Sequence, residues 1–285
     1  MSNISFSIYY HLNICLKDFN KHIIFMNKKG VFIIKRNCFK VLFGILCLFT
    51  ISLFLVTTKV HAYGWGFTRN DNHASPDIGS YASIIEGTNS YYLGDVSKKV
   101  LYLTFDAGYD NGVLDEIIKV LDEKKIHASF FITGDFIKRF PDLVIKLESH
   151  GHLLCNHSYS HKSINKMSKE ELKADLEKIE KAYYDLTNKE LAKYFRPPKG
   201  DFDKESLLYL SNLGYKNIFW SMAHYDWDVN KQMSVEKTCS IVLNNLHNGA
   251  IMLMHSVSIA NARSLPIIID KAISEGYTFE LLTAL

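Results

Sequence analysis

The chain has 285 residues and a formal net charge of +3, with 47% hydrophobic and 22% charged residues. This length accommodates one sizeable domain with a targeting sequence, and the composition excludes a disordered chain. Residues 1–40 carry seven Lys or Arg against one acid, Asp18, so the remaining chain is close to neutral or slightly acidic. A nucleic-acid-binding domain presents a basic face, and the charge balance therefore argues against a nucleic-acid partner.

Residues 1–62 have the features of a leader. Residues 41–56 (VLFGILCLFTISLFLV) carry no charge and follow a basic stretch at residues 35–40. They precede Ala62, a small residue of the kind at which signal peptidase cuts. This order predicts a secretory signal peptide and an exported protein. Sixteen apolar residues are few for a bilayer-spanning helix, so we favour a cleaved signal over a retained anchor that would keep the N-terminal segment in the membrane.

The start of translation is open between two methionines. The sequence Met26-Asn27-Lys28-Lys29 is a more usual beginning for a basic signal-peptide region than residues 1–25 are. We therefore hypothesise that translation starts at Met26 and not at Met1.

Residues 63–99 are aromatic and rich in turn residues, without sustained periodicity. We expect an irregular segment that packs on, or tethers, the domain behind it. From residue 100 onwards, short apolar runs alternate with helical patterns. The predicted strands are residues 100–105, 129–132, 152–155, 194–195, 216–220, 250–254 and 277–281.

Helical patterns lie between these strands. The clearest begins at Ser168, which forms a capping-box sequence with Glu171 and is followed by an apolar stripe. Strands that alternate with helices form parallel sheets with right-handed crossovers. About seven such units in residues 100–285 predict an open or incomplete (β/α) barrel.

Polar side chains follow most of the predicted strands at the point where each strand ends. In a (β/α) barrel these positions open on the same C-terminal face, where active sites are built. Five segments therefore place carboxylate, imidazole and guanidinium groups at this one face of the predicted barrel. The residues are Asp106, His157, His161, Arg196, Asp226, Trp227 and His255.

His157 and His161 are spaced i, i+4. On a helical turn the two imidazoles would share one face and bind a metal ion, although an isolated pair at this spacing is often two surface or capping histidines. Asp106 precedes Ala107-Gly108, where a substrate has room to approach; alone, it also fits a strand-end turn. His255 closes a buried strand as either a core residue or an acid/base group that Asp226 orients.

Five ordered motifs resemble those of the polysaccharide deacetylase family, carbohydrate esterase family 4, also called the NodB homology domain. They are TFDAG (104–108), NHSYSH (156–161), RPPKG (196–200), YDW (225–227) and LMHS (253–256). The resemblance covers about residues 100–285. It is closest to the delta-lactam-forming muramic acid deacetylases of endospore formers, to which YGWGF (63–67), FWS (219–221) and GYTF (276–279) are similar.

The resemblance implies a NodB-like barrel and a hydrolase that deacetylates N-acetylmuramic acid in peptidoglycan strands, at the cell wall. In that branch an amidase first removes the peptide stem, and the freed amine then closes a lactam in spore cortex. Two alternatives stay open: a deacetylase of N-acetylglucosamine-type glycans, and a catalytically silent glycan-binding domain.

The resemblance also implies roles for the strand-end residues. Asp106 is assigned as general base, Arg196 as its ion-pair partner, and His255 as a general acid kept protonated by Asp226. His157 and His161 would hold a divalent ion, zinc or similar, although the family usually has a carboxylate ligand where this chain has Ala107. Candidate sugar contacts are Tyr109, Trp227 and Pro198, although aromatic side chains near strand ends more often serve packing.

Overall fold

The computed structural model describes residues 22–27, 30–35, 40, 61–69 and 72–285. The chain divides into two compact units, Met1–Lys59 and Val60–Leu285. In the first, β1 (His22–Asn27) and β2 (Gly30–Lys35) pair as an antiparallel hairpin. The predicted apolar signal segment at residues 41–56 lies outside the described residues. No helix within the described ranges is long and apolar enough to cross a membrane.

The second unit alternates strands and helices. Its strands are β3 (Tyr63–Gly64), β4 (Ser90–Tyr91), β5 (Val100–Ala107), β6 (Ser129–Ile132), β7 (Leu153–Asn156), β8 (Ala192–Phe195), β9 (Asp201–Phe202), β10 (Lys216–Ile218), β11 (Met222–Ala223), β12 (Ala250–His255) and β13 (Thr278–Phe279). Its helices are α1 (Tyr81–Ile85), α2 (Leu114–Lys124), α3 (Gly134–Arg139), α4 (Pro141–Ser149), α5 (Lys169–Thr187), α6 (Lys204–Asn212), α7 (Val235–Asn244) and α8 (Ile259–Ser274).

The main sheet has the strand order β11-β12-β5-β6-β7-β8-β10-β4, and β13 pairs with the first residues of β5. Its ladders are parallel. Among the described residues β11 and β4 remain the two edges, although an isolated bridge joins Leu93 to Ala250. The predicted incomplete barrel is therefore confirmed, and the two-residue strands β3, β4, β9 and β11 are additions too short to produce a sequence pattern.

The capping box at the start of α5 is present as predicted. Ser168 Oγ accepts a hydrogen bond from Glu171 N at 3.1 Å, and Glu171 Oε2 accepts one from Ser168 N at 2.7 Å. The predicted apolar stripe is buried at Leu172, Leu176, Ile179 and Tyr183. The helix, its N-terminal cap and its apolar stripe could be predicted from the sequence, because each depends on residues that are close together along the chain.

The segment before the barrel packs into it through Trp65, which is 8% exposed. The Trp65 ring stacks on Phe219 with 4.3 Å between centroids, and its Nε1 donates a hydrogen bond to the carbonyl of Trp220 at 2.9 Å. Its backbone N–H donates to the carbonyl of Gly200 at 2.8 Å. Gly200 has φ +70°, and a Cβ there would lie 2.9 Å from the Trp220 ring. Residues 63–67 thereby hold the 196–200 loop in place.

We expect Trp65→Ala to lower the free energy of unfolding by about 3–5 kcal/mol, the usual cost of truncating a large buried aromatic. Urea denaturation measures this change. Trp227→Ala is the matched control, because Trp227 is 53% exposed and its removal leaves no cavity. Equal losses of unfolding free energy in the two variants would contradict the role of Trp65 in holding the 196–200 loop.

Candidate active site

The predicted strand-end residues gather around one cleft of about 870 Å³ at the carboxyl ends of the parallel strands. The predicted residues in its lining are Asp106, Tyr109, His157, His161, Trp227 and His255. Arg196, Asp226 and Pro198 are buried and are not among the lining residues. The loop that contains Pro198 contributes Lys199 and Gly200 to the lining instead.

Arg196 and Asp106 form an ion pair at the base of the cleft. Arg196 Nη1 donates to Asp106 Oδ1 at 2.7 Å, and Nη2 donates to Thr104 Oγ1 at 2.8 Å. The guanidinium has no solvent exposure and lies 4.0 Å from the centre of the Phe131 ring. Burial by itself would raise the pKa of Asp106, but the charges of Arg196 and the nearby histidines outweigh it and lower that pKa. Asp106 is therefore ionised and oriented.

His157 lies between this pair and the cleft. Its Nδ1 is 2.9 Å from the carbonyl oxygen of Arg196, a contact in which only the ring nitrogen can donate. Burial lowers the pKa of His157 to about 4, so the ring is neutral at neutral pH. Its Nε2 therefore carries a lone pair, 3.4 Å from Asp106 Oδ2. The Nε2 lone pair of His157 and the Asp106 carboxylate are both acceptors and lie next to each other, an arrangement that suits a cation.

His161 meets His157 by a different route from the one expected. The predicted helical turn is absent: Ser158 and His161 have φ values of +70° and +53°. Side chains shape this loop instead, since Asp175 accepts from the backbone of Tyr159 and Ser160 at 2.7 and 3.0 Å. Such side-chain bonds compete with helical hydrogen bonding. The two imidazoles nonetheless come together, with 4.9 Å between ring centroids.

The histidine pair has some features of metal-binding histidines. His157 donates Nδ1–H to a carbonyl and keeps Nε2 free, as metal-binding histidines do. Within the described residues no group of three or more His, Cys, Asp or Glu side chains is arranged to hold a metal ion. Ala107 is fully buried and offers no ligand. The chain thus supplies fewer ligands than the three usual at a catalytic zinc.

A second pair, Asp226 and His255, adjoins the first, because His255 on β12 is the sheet partner of Asp106 on β5. Asp226 Oδ1 is 2.7 Å from His255 Nδ1, and Oδ2 accepts from the His255 backbone N–H at 2.8 Å. Burial opposes protonation of His255, but the hydrogen bond and charge of Asp226 outweigh it and raise its pKa. His255 lies at the end of β12, where its ring reaches the cleft.

Asn261 and His224 support this second pair; His224 was among the polar residues that follow the fifth predicted strand, and Asn261 was not singled out from the sequence. Asn261 Nδ2 donates to Asp226 Oδ2 at 2.6 Å and to the His255 carbonyl at 3.1 Å. Its Oδ1 is therefore an acceptor, and His224 Nε2 donates to it at 2.9 Å. The available signal was a polar residue on the buried face of α8, which is equally typical of a helix cap.

The rim of the cleft holds aromatic and basic side chains. Trp227 and Tyr225 pack with 4.1 Å between ring centroids, their planes tilted by 52°, and are 53% and 37% exposed. Tyr109, on another strand-end loop, is 44% exposed. Two cations also line the cleft: Lys199, from the RPPKG motif, and Arg69, which the sequence reasoning missed.

Comparison with known proteins agrees with this fold. The family profile described as polysaccharide deacetylase matches residues 93–218. The chain is also 36% identical, over 76% of its length and 82% of the relative, to the peptidoglycan-N-acetylmuramic acid deacetylase PdaA of Bacillus subtilis. The chain therefore belongs to the polysaccharide deacetylase family, and the predicted enzyme class is confirmed.

A solved structure and a second relative are also similar to the chain. The structure of Bacillus subtilis PdaA, described as a family 4 carbohydrate esterase, has a TM-score of 0.77 at 35% identity and covers 80% of this chain and 98% of that one. A peptidoglycan-N-acetylglucosamine deacetylase of Bacillus cereus is 28% identical over 70% of this chain and 72% of its own length. Deacetylases of this family are generally metal-dependent.

We expect Asp226→Asn to lower the pKa of His255, because the substitution removes the charge that raises it. NMR titration of the histidine rings measures this shift, and Asp228→Asn, a half-buried neighbour outside the pair, is the control. The raised pKa means that the pair stabilises the fold fully below pH 6.5, the ordinary histidine value, and that this contribution is lost as the pH rises through the folded-state pKa. An unchanged His255 pKa would refute the coupling.

Proposed function

We propose that this protein hydrolyses the N-acetyl amide of N-acetylmuramic acid in peptidoglycan strands from which the peptide stem has been removed. The observation that carries the proposal is that two carboxylate-centred pairs, Asp106–Arg196 and Asp226–His255, meet at one cleft, where Asp106 and His255 are sheet partners on neighbouring strands. The similarity to Bacillus subtilis PdaA, named as an N-acetylmuramic acid deacetylase, supports the choice of sugar.

Amide hydrolysis needs an activated water, stabilisation of the tetrahedral oxyanion, and a proton for the departing amine. Asp106 takes a proton from the water as its oxygen attacks the acetyl carbonyl carbon, and Arg196 keeps Asp106 ionised and correctly directed. When the carbon–nitrogen bond breaks, His255 donates its proton to the sugar nitrogen, which leaves a free amine and acetate. Asp226 holds His255 in its protonated form before that step.

His157 and His161 would hold a divalent cation beside Asp106, with water completing its coordination. Such a cation lowers the pKa of the attacking water and polarises the acetyl carbonyl. The neutral state of His157 and the lone pair on its Nε2 support this role.

The proposed place of action is outside the cytoplasm, at the cell wall, where peptidoglycan lies. The basic stretch and apolar run of residues 35–56 support export. In this proposal an amidase supplies the stem-free glycan, and the product amine allows muramic lactam to form in spore cortex. If the leader is retained, it also holds the protein at the membrane.

Two other functions remain candidates. The Bacillus cereus relative, named as an N-acetylglucosamine deacetylase, favours a related sugar. Ala107, in place of the usual carboxylate ligand, favours a silent glycan-binding domain. A binding module does not need both an ionised buried carboxylate and a protonated histidine, and this argues for catalysis.

The deciding experiment is acetate release by the purified protein on intact and on peptide-stripped peptidoglycan fragments, with and without chelator. We expect release from stripped glycan only, lost with chelator and restored by a divalent ion. Release from N-acetylglucosamine oligomers alone would support the first alternative. Binding without release from any fragment would support the second.

Asp106→Asn should lower turnover by about 10²–10⁴-fold, the range for loss of a general base, because its amide cannot accept the proton. Acetate release measures the rate, and circular dichroism with thermal melting checks that the fold is retained. Asp185→Asn, on the exposed face of α5, is the control. Near-normal turnover in a folded Asp106→Asn protein would exclude Asp106 as the base.

His157→Ala should weaken divalent-ion binding and activity together. Isothermal titration with zinc or manganese measures binding, and acetate release measures activity. His150→Ala is the matched control, since His150 pairs with Asp122 away from the cleft lining. Loss of activity without loss of binding, or the reverse, would separate the ion from catalysis.

A further inference from the structure

The cleft has more positive than negative charge. The only carboxylate among its lining residues is Asp106, whose charge is neutralised by the buried guanidinium of Arg196. The charge of His255 is balanced in the same way by Asp226, so Arg69 and Lys199 remain. Among the described residues neither Arg69 nor Lys199 has a carboxylate partner. A cleft with unbalanced positive charge attracts a ligand that carries negative charge.

Arg69 is held at the cleft by the segment that precedes the barrel. The buried side chain of Trp65 fixes one end of this segment, and Thr68 N donates to the carbonyl of Asp77 at 2.8 Å. Arg69 Nη2 donates to the carbonyl of Ala223, at the end of β11. One side of the guanidinium is thus fastened to the cleft wall. Its other N–H donors make no hydrogen bond to the residues that the structure describes, and the residue as a whole is exposed.

We propose that Arg69 is a specificity-determining residue that binds a carboxylate on the sugar whose acetamido group is hydrolysed. This inference rests on the proposed function. Removal of the peptide stem from muramic acid leaves a free lactyl carboxylate on the ring carbon next to the one that bears the acetamido group. A muramic acid that keeps its stem has a neutral amide at that place, and N-acetylglucosamine has only a hydroxyl group.

The chemistry of the guanidinium suits this discrimination. Arginine binds carboxylates through parallel, charge-assisted hydrogen bonds, which are stronger than those between neutral groups. A neutral ester, amide or hydroxyl group gains no ion pair. The anchoring of Arg69 to Ala223 reduces the side-chain ordering that binding would otherwise require. Arg69 therefore selects for glycan that an amidase has already processed.

The test compares peptide-stripped muramic glycan as the free acid with the same glycan as its methyl ester. We expect the full-length protein to prefer the free acid in kcat/KM. Arg69→Gln should reduce this preference by about 10–100-fold, the usual effect of losing a charged hydrogen bond, mostly through KM. Arg69→Lys, which keeps the charge, should restore part of it. Arg263→Gln, an exposed arginine on α8, should leave the preference unchanged.

The outcomes separate this inference from the proposed function. If acetate is released but Arg69→Gln keeps the full preference, or loses rate equally on acid and ester, Arg69 is not the carboxylate-binding residue and the proposed function stands. If no glycan releases acetate, the proposed function fails and equilibrium binding decides for Arg69. A free-acid preference in Kd that Arg69→Gln removes would then support the inference, and its persistence would overturn it.

Discussion

The buried charge of Arg196 constrains the site more than any other single group. A guanidinium without solvent exposure is stable only when its donors are satisfied and its charge is paired. Here the donors reach Asp106 and Thr104 on β5 and the Ile218 carbonyl on β10, while Arg196 itself follows β8. One side chain therefore ties together three strands of the sheet at their carboxyl ends. The backbone carbonyl of Arg196 also orients His157, so the same residue sets the geometry of the histidine pair.

The site divides acid and base roles among similar side chains through their surroundings. His157 is buried without a strong partner, and its pKa falls to about 4. His255 is bonded to Asp226, and its pKa rises instead. One imidazole is therefore neutral and able to accept, while protonation of the other is favoured. Two carboxylates maintain this difference: Asp106 through its pairing with Arg196, and Asp226 through its contacts with His255 and Asn261.

Much of the barrel and the main site residues were predictable from sequence, because strand ends in a parallel sheet converge on one face. The pairing of Arg196 with Asp106 and of Asp226 with His255 followed from that convergence and the family motifs. The helical turn on which the meeting of His157 and His161 depended in the sequence interpretation is absent. Asp175, which is distant in sequence, shapes this loop through its carboxylate instead. Asn261 and Arg69 were missed because their roles depend on contacts with residues 35 and 154 positions away.

The sequence by itself determined the alternation of strands and helices, the Ser168 cap, and the identity of the residues at the strand ends. These features depend on local periodicity and on neighbours within a few positions. Only the tertiary structure decided the ionisation of those residues and the charge of the cleft, because pKa values depend on burial and on partners brought in from other strands. It also decided that the segment before the barrel contributes to the cleft. Trp65 and Arg69 take their positions from contacts with residues beyond position 196, which no local pattern records.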